Sequence, residues 1–424
     1  MWARAGFIRR GSLNCRRCYS LSIPDYHSKV RAIPFAFPPE AAVTHVGPIA
    51  ATVTRSYSPS TIREELGCLA GSFIAKHLPA MGYKTIQPER IQALYYPSWC
   101  IDAEAEAKAW FSPNPDDPPE VVTVHFQHAE LPGNGSELAR ISLRDETITY
   151  KNTKPFVPAL TNQHGSEILC LPFNISPLEL LSRARAMSFG VTKVDDDFRF
   201  DPRSLNLNLV AAYPILIPVY VLQYAPQGPY SRVTIIVEAY AEPGRYYVHF
   251  VNSPDLRKLP AQEFFGEEDF IAMGLSGSKC RFSPNIISPR SRPSASEDLC
   301  AWMSNFVEDR GAPLRLTSKQ PIDMDDCRVR EWTEEEILPV HEWMQLGRNL
   351  IRTRGMIKTI STVNVDQIKV FEFPPRMNTD PKKVAAGLQG FFKAEEERLQ
   401  KLEEARAART PAWWRQWQDS QKTS

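Results

Sequence analysis

A stretch that occurs twice constrains this chain more than any other feature. Residues 95–101 read Tyr-Tyr-Pro-Ser-Trp-Cys-Ile, lead to Val122-Thr123-Val124-His125-Phe126 and end at Pro132-Gly133. Residues 216–222 read Leu-Ile-Pro-Val-Tyr-Val-Leu, lead to Val233-Thr234-Ile235-Ile236-Val237 and end at Pro243-Gly244. Pro97 aligns with Pro218, Trp99 with Tyr220, Ile101 with Leu222, and Thr123 with Thr234.

In the first copy Trp99, Ile101, Ala103, Ala105, Ala107 and Ala109 alternate with Cys100, Asp102, Glu104, Glu106 and Lys108. Alanine favours helix, but a helix would scatter both sets around its barrel, whereas a strand separates them onto two faces. The prolines of 112–119 and 225–229 leave the sheet, because proline cannot donate to a ladder. A β-rich run and a Pro-Gly turn follow in each copy. Tyr246, Val248 and Phe250 then mark a third strand, so each unit reads as an antiparallel meander.

An amphipathic helix precedes each meander. Thr61-Ile62-Arg63-Glu64 is a capping box followed by Leu66, Leu69 and Phe73 at helical spacing, and Ser176-Pro177-Leu178-Glu179 opens the second helix, to residue 189. The fold class is therefore α+β, a duplicated helix plus antiparallel β-meander core. Its halves span 60–150 and 151–275, after an extended lead-in at 21–59.

Residues 276–296, rich in Ser, Pro, Arg and Gly, read as a linker. Residues 297–375 form a helical region with a late strand at 362–373, and 376–424 a C-terminal helix with a Trp-rich tail. Within 297–375, helices open at Ser294-Ala295-Ser296-Glu297 and at Thr333-Glu334-Glu335-Glu336. The helix from Asp380-Pro381 to about Arg409 carries an apolar stripe early. Its charged second half, 395–409, is expected to project into solvent.

Composition bounds the function classes. At 424 residues, 43% hydrophobic and 23% charged, the chain suits two or three ordinary globular domains. A net charge of +1 provides no basic field, so nucleic acid is not indicated as a partner, and an RNA- or ribosome-associated role would need a local patch. Residues 1–20 contain five arginines and no acid, the composition of a mitochondrial transit peptide. Arg17-Cys18-Tyr19-Ser20 resembles the Arg-x-Tyr-Ser processing motif of matrix presequences, which implies a mitochondrial matrix protein. No apolar run is long enough to span a membrane.

Motifs for chemistry are scarce. There is no G-x-G-x-x-G, P-loop or G-x-S-x-G, and Cys15 and Cys18 form the only C-x-x-C, inside the presequence. His125 and His128, three apart on a strand, face opposite sides unless a bulge intervenes, and His341-Glu342 lacks the second histidine of a zincin helix. Asp323-Met324-Asp325-Asp326 is read as a solvated acidic run rather than a magnesium site. These features assign no catalytic residue, metal or cofactor.

Asp102, Glu104 and Glu106 are expected to face solvent. The alternative is that they are cavity acids between the two halves, where crowding would raise their pKa values. Trp413, Trp414 and Trp417 share one side of a short helix capped by Thr410. They are expected to bind a protein partner, ahead of docking on their own domain or peripheral contact with the inner membrane. The expected function is a non-catalytic matrix scaffold, assembly or interaction factor. A matrix enzyme or small-ligand-binding protein is the alternative.

Overall fold

The computed structural model describes residues 27–55, 85–114, 116–143, 148–225, 233–241, 244–250, 270–273, 282–288, 294–308, 318, 321–361 and 381–423. The presequence, the helix expected at 61–80 and the strand expected at 362–373 lie outside them. The architecture is mixed α+β, with helices against a curled mixed sheet. In chain order the principal elements are helix α1 (Pro39–Arg55) and strands β1 (Arg90–Trp110), β2 (Glu120–Pro132), β3 (Asn206–Tyr224) and β4 (Val233–Glu238). Strands β5 (Tyr246–Phe250), β6 (Phe270–Met273) and β7 (Pro284–Ile287) follow, then helices α2 (Ala295–Glu308), α3 (Glu334–Ser361), α4 (Pro381–Ala408) and α5 (Ala412–Thr423). Among the described residues no helix is long and apolar enough to cross a membrane.

The sheet runs β6-β5-β4-β3-β1-β2-β7, each neighbouring pair antiparallel. Short strands make it mixed: Arg31–Ala32 lies parallel to β3 and Ser166–Cys170 parallel to β1. The two long strands pair at the centre, Tyr96 facing Ile217, so that Pro97 and Pro218 each stand one residue beyond that pair on their own strand. Gly133 donates to the Pro97 carbonyl at 2.9 Å, and Ala239 donates to that of Pro218 at 3.0 Å. Gly133 thus occupies the place of Ala239, and the two Pro-Gly turns are not equivalent.

Among the described residues the first meander is a hairpin only: after Pro132 the chain leaves the sheet, and Asn134 holds a turn by donating to the Pro172 carbonyl and accepting from the Ser136 amide. Its outer neighbour is instead β7, which lies inside the stretch expected to be a linker. The helix expected at 176–189 starts as read, Ser176 accepting from the Leu178 amide, but comprises only the 3-10 turn Pro177–Glu179 and Leu180–Arg185. None of residues 180–185 is buried, so packing adds little to the weak intrinsic stability of so short a helix.

The lead-in at 21–59 is not all extended. Ala42, Val43, Val46 and Ala50 fall on one face of α1 and are buried in an apolar cluster with Phe35, Tyr95, Tyr220 and Leu222. Pro48 obscured that helix in the sequence. It lies within α1 nonetheless.

On the C-terminal side, α3 and α4 run antiparallel, with Arg354 on Glu403 at 2.6 Å and Arg409 Nε 3.4 Å from Glu342. Among the residues of α4 whose burial is described, Phe392, Glu395, Leu399, Leu402, Ala405 and Arg406 are half-buried, a 3-and-4 spacing that lays the charged segment along a neighbour. It does not project. At its end Trp414 is buried in the main core cluster with Tyr213, Trp332 and Trp343. Trp417 stacks on Trp414 at 4.5 Å, and Arg328 and Arg330 lie over Trp417 and Trp413. Of the three tryptophans expected to meet a protein partner, Trp414 is buried by its own chain, and Trp413 and Trp417 are half-buried against it.

Trp414→Ala should therefore destabilise the protein by about 3–5 kcal/mol in urea unfolding. Truncation after Arg409 should lower the melting temperature sharply. A truncated chain that melts like the full one would show that the tail is dispensable to the core.

Candidate functional site

Strand β1 is buried on both faces from Ala93 to Ala105, so its acidic side has no water to face. Asp102 and Glu104 are fully buried, which corrects the expectation of a solvent-exposed row. Two irregularities in the neighbouring strands supply their partners. Ile101 faces Ala129 but Ala103 faces Phe126, so Gln127 and His128 together oppose Asp102. This bulge holds His128 at φ 51° and turns its amide onto Asp102 Oδ1 at 2.6 Å. On the other flank Glu104 faces Leu209 and Ala105 faces Leu207, and the extra residue Asn208 donates to Glu104 Oε1 at 2.8 Å.

The bulge is the condition under which His125 and His128 can serve one side of the sheet. His128 Nε2 lies 4.0 Å from Asp102 Oδ2, and His125 Nε2 lies 3.0 Å from Glu104 Oε2. Helices α3 and α4 complete the centre from above. His341 Nε2 stands 3.0 Å from Asp102 Oδ2, and Arg406 donates to Glu104 Oε1 at 2.6 Å. The Arg406 guanidinium covers the Trp343 ring at 3.8 Å. Gly347 is where α3 passes closest. A Cβ there would sit 2.7 Å from Glu104 Oε2 and 2.8 Å from the Arg406 guanidinium.

Burial pushes the Asp102 carboxyl up, but the hydrogen bond from His341, the charges of His128 and His341 and the His128 amide outweigh it and hold the group below its ordinary range. Glu104 is also held low: burial raises it, and His125, Arg406 and Asn208 more than offset that. The buried phenol of Tyr213 is pushed up, by burial first and then by the neighbouring Asp102 charge.

The two acids have different surroundings. Glu104 is closed in by Arg406, Asn208 and His125, a strut between sheet and helices. Asp102 faces two imidazoles, and Asp102, His128 and His341 each offer one potential metal donor within 4.8 Å of the others. Glu106 is half-buried further along β1, opposite Thr123, and joins neither group. The Asp323–Asp326 run is served by the chain's own cations. Lys29 donates to the carbonyls of Met324 and Asp326, Arg328 pairs with Asp326, and His27 lies 3.0 Å from Asp325.

No protein-family model, curated protein or solved structure matches this chain.

Another buried acid lies at the end of β4. Glu238 accepts from Tyr240 at 2.7 Å, Tyr247 at 3.0 Å and Arg245 at 3.0 Å, yet burial raises its pKa to about 7 against these partners. Between about pH 4.5 and 7 the folded protein therefore holds a proton that the unfolded chain has released. The contribution to stability is full below the unfolded value and is lost as pH rises through the folded one. Wild-type stability should fall between about pH 5 and about pH 8 by more than that of Glu238→Gln, by up to about 3 kcal/mol. Parallel pH profiles would show Glu238 to be ordinary.

Arg406→Met should leave Glu104 buried without its cation and cost about 3–5 kcal/mol in chemical denaturation. Combining it with Glu104→Gln should recover much of that loss. A double mutant no more stable than the single would show that the pair does not act as a unit.

Proposed function

We propose that this chain acts through the acid–histidine centre beneath α3, as an enzyme or small-ligand-binding protein of the mitochondrial matrix, rather than as a scaffold built around its tail. The observation that carries the reading is the convergence of His128 and His341 on the buried carboxylate of Asp102. Ionisable groups gathered in a desolvated setting are the usual material of binding and catalytic sites. The scaffold reading relied on a Trp cluster free to meet a partner, and Trp414 lies in the chain's own core. The matrix location rests on the Arg-rich, acid-free residues 1–20 and the Arg17-Cys18-Tyr19-Ser20 motif.

A duplication of the hairpins, β1-β2 and β3-β4, belongs to the same proposal. It is supported by the matched placement of Pro97 and Pro218 about the Tyr96–Ile217 pair. Asp102 and His128 then belong to the first copy, and His341 to neither.

The test is replacement of the endogenous protein in cells by Asp102→Asn, which keeps the shape of the side chain and its acceptor for the His128 amide. The variant should accumulate in mitochondria with a mature N-terminus between about residues 19 and 24, as transit-peptide removal implies. It should nonetheless fail to restore whatever defect follows loss of the wild-type protein. Full restoration by a folded Asp102→Asn chain would return the scaffold reading to first place.

A further inference from the structure

Resting on the reading that the centre beneath α3 is functional, we infer that Asp102, His128 and His341 bind a divalent first-row transition-metal ion. Three donors from three separate elements point at one place. Asp102 comes from β1, His128 from the bulge of β2 and His341 from the second turn of α3. Both Nε2 nitrogens approach the same carboxylate oxygen, Asp102 Oδ2, and the three donors lie within 4.8 Å of one another.

Donors bound to one ion at ~2.0–2.1 Å stand roughly 3.0–3.4 Å apart. The His341 Nε2 to Asp102 Oδ2 distance of 3.0 Å already meets that, the 4.0 Å from His128 would have to shorten, and no donor of the set lies more than 4.8 Å from another. Two imidazoles with one carboxylate suit zinc, iron, cobalt or manganese, whereas calcium and magnesium prefer all-oxygen shells. The three protein donors leave further coordination positions for water or a small ligand.

The surroundings hold the donors as metal sites do. Asp102 Oδ1 is anchored by the His128 amide, which leaves Oδ2 to face the histidines. Trp332 packs its ring edge-on against His128 at 6.0 Å, and Tyr213 lies buried against the carboxylate. Such outer contacts orient ligands before the ion arrives. Access exists too: the Asp102 side chain is 0% exposed, but those of His128 and His341 are 35% and 26% exposed.

The left-handed backbone at His128 is independent support. A non-glycine residue at positive φ is uncommon and has to be held by its surroundings, and such strain gathers at functional sites. Here it is what brings the second imidazole to Asp102. The neighbouring Glu104–His125 pair is not a second metal site, because Arg406 already brings a cation to that carboxylate.

The experiment uses the purified full chain, stripped with a chelator and titrated with cobalt(II) as a spectroscopic probe, followed by competition with zinc. One equivalent of cobalt should bind with visible d–d absorption, and zinc should displace it. His128→Ala and His341→Ala should each weaken cobalt binding by at least about 100-fold. His164→Ala, at a site remote in the fold, should bind as the wild type does. Should the ligand variants fail to fold, X-ray absorption of the zinc-loaded wild-type protein should show two imidazoles and oxygen at ~2.0–2.1 Å.

Less than one equivalent bound to the folded wild-type chain would overturn the inference. So would wild-type affinity in both histidine variants, or a zinc spectrum without imidazole. If no ion binds while Asp102→Asn still loses function in cells, the centre is functional without a metal, and only the present inference fails.

Discussion

Two carboxylates, Asp102 and Glu104, lie where water cannot reach them, and the C-terminal half of the protein is arranged around that fact. Removing an ionised carboxylate from water costs several kcal/mol even after relaxation, so each must find a cation or several hydrogen bonds. The partners come from remote segments. His341 is 239 residues from Asp102 along the chain, and Arg406 is 302 from Glu104. Neither acid can be satisfied until α3 and α4 have settled on the sheet. Docking of the helices and ionisation of the acids are therefore one event. That coupling explains why Gly347 leaves no room for a methyl group: α3 must approach Glu104 and Arg406 closely enough to exclude water between them.

Much of the fold was legible because it depends on local periodicity. The alternation from Trp99 to Ala109, the helix starts after Thr333 and at Pro381, and the second meander all appear where residue spacing places them. What was not legible depends on what lies above a face. Alternation shows that Asp102, Glu104 and Glu106 share a side of β1 but not whether that side meets water or another layer. The bulge at His128 has no signature in Gln127-His128-Ala129, since no glycine marks the left-handed residue. Without it, strict alternation places His125 and His128 on opposite faces. The donors of the candidate centre, one from each of three elements, have no spacing a motif could capture.

The tail shows a related limit. Residues 395–409 are mostly charged, and charge suggests solvent, yet Leu399, Leu402 and Arg406 recur at the spacing of a helix lying on a neighbour. Here a charged side chain packs. The Arg406 stem and guanidinium cover Trp343 while its tip reaches Glu104, so one residue contributes apolar area and a counter-charge together. Charge in a helix is evidence about solvent only where the opposite charge is not already buried beneath it.

Asp102 and Glu104 differ in their partners and not in their burial. They sit two residues apart on one strand, equally buried, under the same pair of helices. For Glu104 the chain supplies an arginine, an asparagine and a buried histidine, an arrangement that stabilises a carboxylate and leaves no opening. For Asp102 it supplies two histidines that stay in touch with solvent, one on a backbone bent into an unfavourable conformation to reach it. If neutralising charge were the only requirement, a second arginine would meet it with better geometry and no bulge. Histidine differs in being able to offer a lone pair rather than a fixed charge. The choice of partner, more than the burial, is what distinguishes a centre able to receive an ion from a strut that holds two layers together.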